Sequence, residues 1–310
     1  MAKQSDKVQN ALDEARILIL GSQVLFGFQF RSVFEPLFEK LPHHTQYLKL
    51  AGLILMTSAV GLLMLPGAYH RIVEEGEDTQ ELHRVTTKVA ELALMPFAVG
   101  LGVDIFVACE RLMSLSVAIA CGGVSTLVAI FFWYGLEMIQ KSKYAPEIKE
   151  KRKMDKDQQS GGTKLTDKIK HVLTEARVVL PGAQTVLGFQ FILFLMETFE
   201  KLPESSKYIH LASLSMVALS IILLMTPAAY HRIVEQGEET EHFHRFASRV
   251  LIAAMIPFAL GLSGDIFIVV RKVTESAALA AAFSLIQLAC FYGLWFGFTA
   301  YRRRLAGERS

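Results

Sequence analysis

The chain has 310 residues, of which 52% are hydrophobic, and its 32 basic and 30 acidic side chains give a formal net charge of +2. Its charges are concentrated in a few segments, and the apolar runs between them are about twenty residues long, enough to cross a bilayer as helices. This distribution argues against an ordinary soluble domain. The three cysteines (Cys109, Cys121 and Cys290) all lie in apolar runs, which argues against a disulfide framework.

Eight apolar runs follow one another in two groups of four. Their approximate bounds are Ala15 to Leu37, Leu48 to Arg71, Thr87 to Ala108, Ser114 to Ile139, Ala176 to Thr198, Ile209 to Arg232, Ser248 to Val269 and Ser276 to Ala300. The highly charged segment between the groups cannot bury a core and is typical of a solvated linker. We predict a first four-helix transmembrane repeat over 1–145, a charged cytoplasmic linker over 146–170 and a second repeat over 171–310.

An internal duplication explains the two groups. The heptapeptide AYHRIVE occurs at 68–74 and returns unchanged at 229–235, 161 positions later. At the same offset, residues 14–106 match residues 175–267 at close to half of the positions. Four crossings per copy is an even number, so both copies enter the membrane in the same orientation. We therefore predict an all-α membrane fold of eight transmembrane helices, built as two parallel four-helix repeats with a pseudo-twofold axis along the membrane normal.

Basic residues predict the orientation. Most lie at the N-terminus, in the connections after the second run of each half, in the linker and in the tail at Arg302–Arg304. By the positive-inside rule these segments are cytoplasmic, which predicts a multi-pass protein of the cell inner (plasma) membrane with both termini in the cytoplasm. The lysine-rich linker suits anionic lipid head groups at that face. Nucleic-acid binding is not expected, because aromatic residues are not interleaved among the lysines. A homo-oligomer is compatible with the sequence.

One carboxylate lies within the third apolar run of each half, at Asp104 and Asp265. An acid at the centre of a membrane helix costs about 2.5 to 3.5 kcal/mol on insertion scales, so it faces protein or water. Two interpretations stay open at this point. The acids form a proton or cation site repeated in each half, or they lie near the outer interface and accept hydrogen bonds from neighbouring helices.

Four glutamines are also duplicated within apolar runs: Gln23 with Gln184, and Gln29 with Gln190. The second pair is expected at about the height of the acids. Glutamine amides can line a wet path, or they can join helices with bonds that typically contribute about 0.6 kcal/mol. The transport hypothesis places these glutamines with Asp104 and Asp265 along one ion pathway at or near the interface between the halves.

A polar cluster follows the second run of each half. Its members are His70, Arg71, Glu74 and His83 in the first half and His231, Arg232, Glu235 and His244 in the second. An interfacial anchor is the favoured interpretation, because cations complement a helix C-terminus. A pH-sensitive gate and ligation of a divalent metal are the alternatives. Gly76 makes it doubtful that the helix continues far enough to align these groups, and no metal site is predicted.

The sequence contains no glycine-rich phosphate loop, Ser-His-Asp arrangement or paired-cysteine metal site. Haem is not expected either, because the histidines lie in connections or at the ends of apolar runs. We therefore predict no enzymatic activity, no catalytic residues and no cofactor. The leading hypothesis is a channel or transporter for protons or small cations. The alternative is a non-transporting membrane module that binds a protein partner or anionic lipid through its cytoplasmic connections.

The pattern A-R-x4-G-x-Q-x3-G-F-Q-F, followed by P-x-A-Y-H-R after the second run, resembles a family of small bacterial four-helix membrane proteins of unknown function. Residues 14–106 and 175–267 carry the resemblance, so each half resembles one complete member and the chain resembles a fused dimer. The resemblance implies four helices per unit and a bacterial inner-membrane location. It implies no activity.

Overall fold

The computed structural model describes residues 4–135, 164–235 and 240–307, which are helical apart from short connections and contain no strand. Eight long helices occupy these ranges. They are α1 (Gln4–Ser32), α2 (His43–Ile72), α3 (Gln80–Glu110), α4 (Leu115–Ile130), α5 (Leu165–Leu193), α6 (Glu204–Ile233), α7 (Glu241–Thr274) and α8 (Ala277–Tyr292). A π-helix, Phe131–Gly135, continues α4. The π-helix Gly293–Phe298 and the α-helix Thr299–Gly307 continue α8.

Seven of the helices, α2 to α8 with their continuations, are long and apolar enough to cross a membrane. This is typical of a multi-pass membrane protein. Helix α1 is not among the seven, because Arg16, Gln23, Gln29 and Arg31 interrupt its apolar sequence. The eighth crossing therefore stays a prediction.

The helix ends differ from the apolar runs in ways that affect the candidate site. Helices α2 and α6 begin directly after Pro42 and Pro203, five residues before the runs do, because their first turns are polar. Helix α1 ends at Ser32, before Pro36, and a short 3-10 helix, Phe38–Lys40, follows it. Helix α5 begins inside the predicted linker, whose residues 146–163 lie outside the described ranges.

Helices α1 and α5 pack against each other and join the two halves. Their contacts are Arg16 with the carbonyl of His171, Gln23 with Gly182, Gly27 with Phe189, and the carbonyl of Phe34 with the Thr198 hydroxyl just beyond α5. Residue numbers rise together on both helices, so the two helices run parallel. A Cβ atom at Gly182 would overlap the Gln23 side chain, so glycine permits this close approach.

Within each half, the second and third helices pack together and the fourth packs on the third. The halves nevertheless use their second helices differently. Helix α2 also packs on α7 and on the π-helix after α8, where the indole of Trp295 donates a hydrogen bond of 2.8 Å to the carbonyl of Gly61. Across the described ranges, α6 makes no comparable contact with α3. One copy of the second helix is therefore enclosed and the other lies at the periphery.

Candidate functional site

In the first half, polar side chains from two other helices meet Asp104 of α3. The Gln29 amide of α1 donates a hydrogen bond of 2.7 Å to Asp104 Oδ2. The Lys49 ammonium of α2 forms an ion pair with Asp104 Oδ1. The Lys49 side chain is 9% exposed and the Asp104 side chain 25% exposed. The carboxylate thus has a cation on one oxygen and an amide on the other.

In the second half, the equivalent carboxylate is fully enclosed. The Gln190 amide donates a hydrogen bond of 2.7 Å to Asp265 Oδ2, and His210 Nδ1 lies 3.8 Å from Asp265 Oδ1. All three side chains are buried. His210 Nε2 lies 2.9 Å from the backbone carbonyl of Gln190. Because a carbonyl only accepts, Nε2 must carry a hydrogen, and in the neutral ring Nδ1 is then an acceptor directed towards Asp265.

Aromatic rings enclose the His210 imidazole. The rings of Phe194 and Phe199 lie 4.9 and 5.3 Å from it, centroid to centroid. Phe30 of α1, from the other half, stacks on it at 6.2 Å. This apolar wall keeps bulk water away, which strengthens every electrostatic interaction inside it. The second-half site is therefore completed by a residue of the first half.

Lys49 and His210 occupy the same place in the repeat, 161 positions apart. Each lies six residues after the first residue of its helix, about 9 Å from the helix end. Sequence analysis missed both as site residues, because they differ between the halves and because each stood at the edge of an apolar run. The sequence did contain one indication of their importance, because the alignment of the two repeats pairs an ionisable residue with an ionisable residue at this position.

The structure does not bring the other two predicted glutamines to the carboxylates. Gln23 is buried in the contact between α1 and α5, and neither of its amide atoms has a hydrogen-bond partner. Gln184, its equivalent in the repeat, is exposed. The six residues of the hypothetical pathway therefore lie in four places: one carboxylate–glutamine pair in each half, and two glutamines that are separate from the pairs and from each other.

In the first copy of the polar cluster that follows the second helix, His70 and Arg71 are buried between the halves. The Arg71 guanidinium forms a two-point ion pair with Glu175 of α5 and donates a hydrogen bond of 3.2 Å to the Ser248 hydroxyl of α7. Next to it, His70 is 2% exposed, and neither of its ring nitrogens has a hydrogen-bond partner. Its ring stands edge-on to His171, 5.7 Å away. Arg71 and Glu175 also border a cavity of about 40 Å³.

The chain turns sharply after α2, as Gly76 suggested. Helix α2 ends at Ile72, and Gly76 has a φ of +87°, so the helix does not continue to Glu77. Burial raises the pKa of the Glu74 carboxyl, and a hydrogen bond from Thr79 partly offsets this effect. In the described ranges, no three His, Cys, Asp or Glu side chains converge as metal ligands.

The second copy of the cluster has a different environment, although its sequence is the same. Arg232 is exposed, and His231 and Glu235 are half-buried. The His231 ring lies against Phe243, at 4.7 Å. In the third helices, His83 is half-buried and its equivalent His244 is buried. The His-Arg pair at the end of the second helix therefore has one buried copy, at His70 and Arg71, and one more exposed copy, at His231 and Arg232.

Comparison with known families explains the two halves. The family of unknown function DUF6328 matches residues 2–137 and again residues 159–299. The chain belongs to DUF6328. Two consecutive matches confirm the internal repeat, and a family without an assigned function agrees with the resemblance drawn from the glutamine and AYHR patterns. No curated protein and no solved structure matches the chain. An activity for this DUF6328 protein must therefore be argued from its own residues.

Proposed function

We propose that this protein carries protons across a membrane and that one acid of the repeated pair, Asp104 and Asp265, is its proton-binding group within the bilayer. The role is not enzymatic. An acid inside a membrane helix marks a functional site by default, because its insertion is costly. Here each acid is held by a glutamine and by an ionisable side chain from the second helix of its half.

One observation carries the proposal. Asp265 Oδ1 and His210 Nδ1 are buried, lie 3.8 Å apart, and have no hydrogen-bond partner. Two bare acceptors facing each other in an apolar enclosure repel, and a proton between them removes the repulsion. Whether this proton is assigned to the acid or to the imidazole, the pair is neutral overall. It is therefore a chemically complete proton-binding site.

The same geometry favours protons over metal cations. A hard cation needs several oxygen ligands, whereas Asp265 Oδ2 already accepts the Gln190 amide and Oδ1 faces a nitrogen. In the first half, the Lys49 ammonium occupies the position that a cation would take at Asp104. Neither site offers an oxygen cage.

His70 suits a relay on the cytoplasmic side. Its imidazole is buried, both of its nitrogens lack partners, and it lies beside His171, whose Nε2 is 3.5 Å from Asp78 Oδ2. Each ring nitrogen of an imidazole can donate or accept a proton, so this cluster can pass protons between the cytoplasm and the interior. The equivalent His231 lies at the periphery and has no such role in the proposal.

The proposed arrangement has eight crossings, with the two halves parallel and both termini in the cytoplasm of an inner membrane. Support comes from α1, which lies parallel to the candidate span α5 along its length. Binding of anionic lipid by the linker is part of the proposal. By contrast, the first half's cytoplasmic connection uses its acids internally: Glu75 pairs with Arg303, Glu77 with Lys168 and Glu81 with Arg302. These contacts disfavour a module that binds a partner there.

Proton flux into liposomes tests the proposal. Purified protein is reconstituted with a pH-sensitive dye inside the vesicles, and a potassium diffusion potential drives protons inward. We expect the wild type to acidify the lumen and Asp265→Asn to reduce the flux to that of protein-free vesicles, because asparagine cannot release a proton.

Glu35→Gln is the matched control. Glu35 is a partly exposed acid paired with Arg31, and Met196 replaces it in the second half. Its removal should leave the flux unchanged. Wild-type vesicles without flux at any pH, or equal flux from Asp265→Asn and wild type, would contradict the proposal.

A further inference from the structure

We infer that the two halves are specialised: Asp265 exchanges the transported proton, while Lys49 holds Asp104 in a structural ion pair. The inference rests on the proposed function and adds which half exchanges the transported proton. The identity of one residue on the second helix, lysine or histidine, decides whether a half exchanges protons.

The first-half geometry is that of a fixed ion pair. Lys49 Nζ contacts Asp104 Oδ1 directly, and Gln29 donates to Oδ2, so both carboxylate oxygens are satisfied. A proton arriving at Asp104 would have to displace an ammonium that is itself 9% exposed and would then lack a counter-charge. The pair therefore joins α2 to α3, and together with the Gln29 amide it occupies both oxygens of Asp104.

The second-half geometry lacks a fixed charge. In the described part of the chain, no lysine or arginine nitrogen lies within 4.0 Å of Asp265, and the groups facing it are an amide and an imidazole. His210 itself is surrounded by the rings of Phe30, Phe194 and Phe199 and by the Gln190 carbonyl. An imidazole can gain and lose a proton under ordinary conditions, whereas an ammonium beside a carboxylate does so far less readily.

The hydrogen bond from His210 Nε2 to the Gln190 carbonyl fixes the orientation of the imidazole ring. It anchors one nitrogen to the Gln190 backbone and leaves Nδ1 as the exchanging atom. The same residue, Gln190, holds Asp265 Oδ2 through its side chain. One glutamine thus positions both members of the proton pair, and the transfer itself moves a single proton between Oδ1 and Nδ1 with no other bond made or broken.

Four variants test the specialisation in the flux assay. The double variant Lys49→Met with Asp104→Asn removes the first pair without leaving a buried charge, and it should keep wild-type flux. His210→Lys should abolish flux, because an ammonium then holds Asp265. Lys49→His should add a second exchanging site and raise flux by up to about twofold, as two equal parallel sites would. Asp265→Asn should lose flux.

Infrared spectroscopy supplies a readout that does not depend on transport. A protonated carboxylic acid has a carbonyl stretch distinct from that of a carboxylate. The wild type and the Lys49→Met, Asp104→Asn double variant should both show this band near neutral pH, Asp265→Asn should lose it, and Lys49→His should gain intensity. Loss of the band in the double variant, or loss of flux there with flux kept in Asp265→Asn, would overturn the inference. A wild type without flux but with the Asp265 band would contradict only the proposed function.

Discussion

Asp104→Asn is expected to lower the free energy of unfolding by about 3 kcal/mol or more, the typical loss when one partner of a buried ion pair is removed. The physical reason is Lys49, whose ammonium would stay in an apolar position without its carboxylate. Unfolding in increasing concentrations of SDS, followed by the loss of helical circular dichroism, measures the difference from wild type.

Asp265→Asn is the matched control, because it is the same substitution at the equivalent residue. Its neighbours are neutral or can become neutral by losing a proton, so no charge is stranded and the expected change is within about 1 kcal/mol. Adding Lys49→Met to Asp104→Asn should restore most of the lost stability. Equal losses from the two aspartate variants, or no rescue by Lys49→Met, would show that the two sites do not differ in charge as described.

Glu175→Gln is the second substitution with a large expected effect. It leaves the Arg71 guanidinium, 3% exposed, without its carboxylate at the junction of α2, α5 and α7. We expect a loss of about 3 kcal/mol, somewhat offset because the Ser248 hydroxyl still accepts a hydrogen bond from the guanidinium. The same SDS titration reports the change.

The repeat provides the control for this ion pair. Arg232 has the same sequence neighbours as Arg71 but is exposed, so Arg232→Met should change stability by no more than about 0.5 kcal/mol. Arg71→Met, by contrast, should destabilise to a similar degree as Glu175→Gln, since it leaves the Glu175 carboxylate, 16% exposed, without its cation. If Arg71→Met and Arg232→Met lowered the free energy of unfolding equally, the described difference in burial between the two second helices would be wrong.

The helices were predictable because apolar runs and a duplicated sequence report directly on length and repetition. Their starts were not, because the polar first turns of α2 and α6 lie outside the apolar runs. Because the predicted helices began five residues too late, Lys49 and His210 were placed at helix ends. They were therefore not recognised as the groups that face Asp104 and Asp265.

The asymmetry between the halves could not be predicted from the motif. The residues AYHR are identical in the two copies, yet the first is enclosed by α5 and α7 and the second lies at the periphery. Burial here depends on which helix of the other half packs alongside, and no local sequence specifies that contact. The pairing of Gln29 and Gln190 with the two acids was easier to predict, since both glutamines were expected at the height of the carboxylates.

In the proposed site, His210 Nδ1 and Asp265 share a proton while Nε2 stays protonated, and nitrogen NMR of His210 tests this most directly. Protein with ¹⁵N-labelled histidine, assigned by comparison with His210→Met, reports the protonation of each ring nitrogen. We predict that Nε2 carries its proton throughout, and that Asp265→Asn shifts the Nδ1 resonance alone. A ring protonated at Nδ1 with Nε2 bare, or an Nδ1 resonance indifferent to Asp265→Asn, would contradict the account.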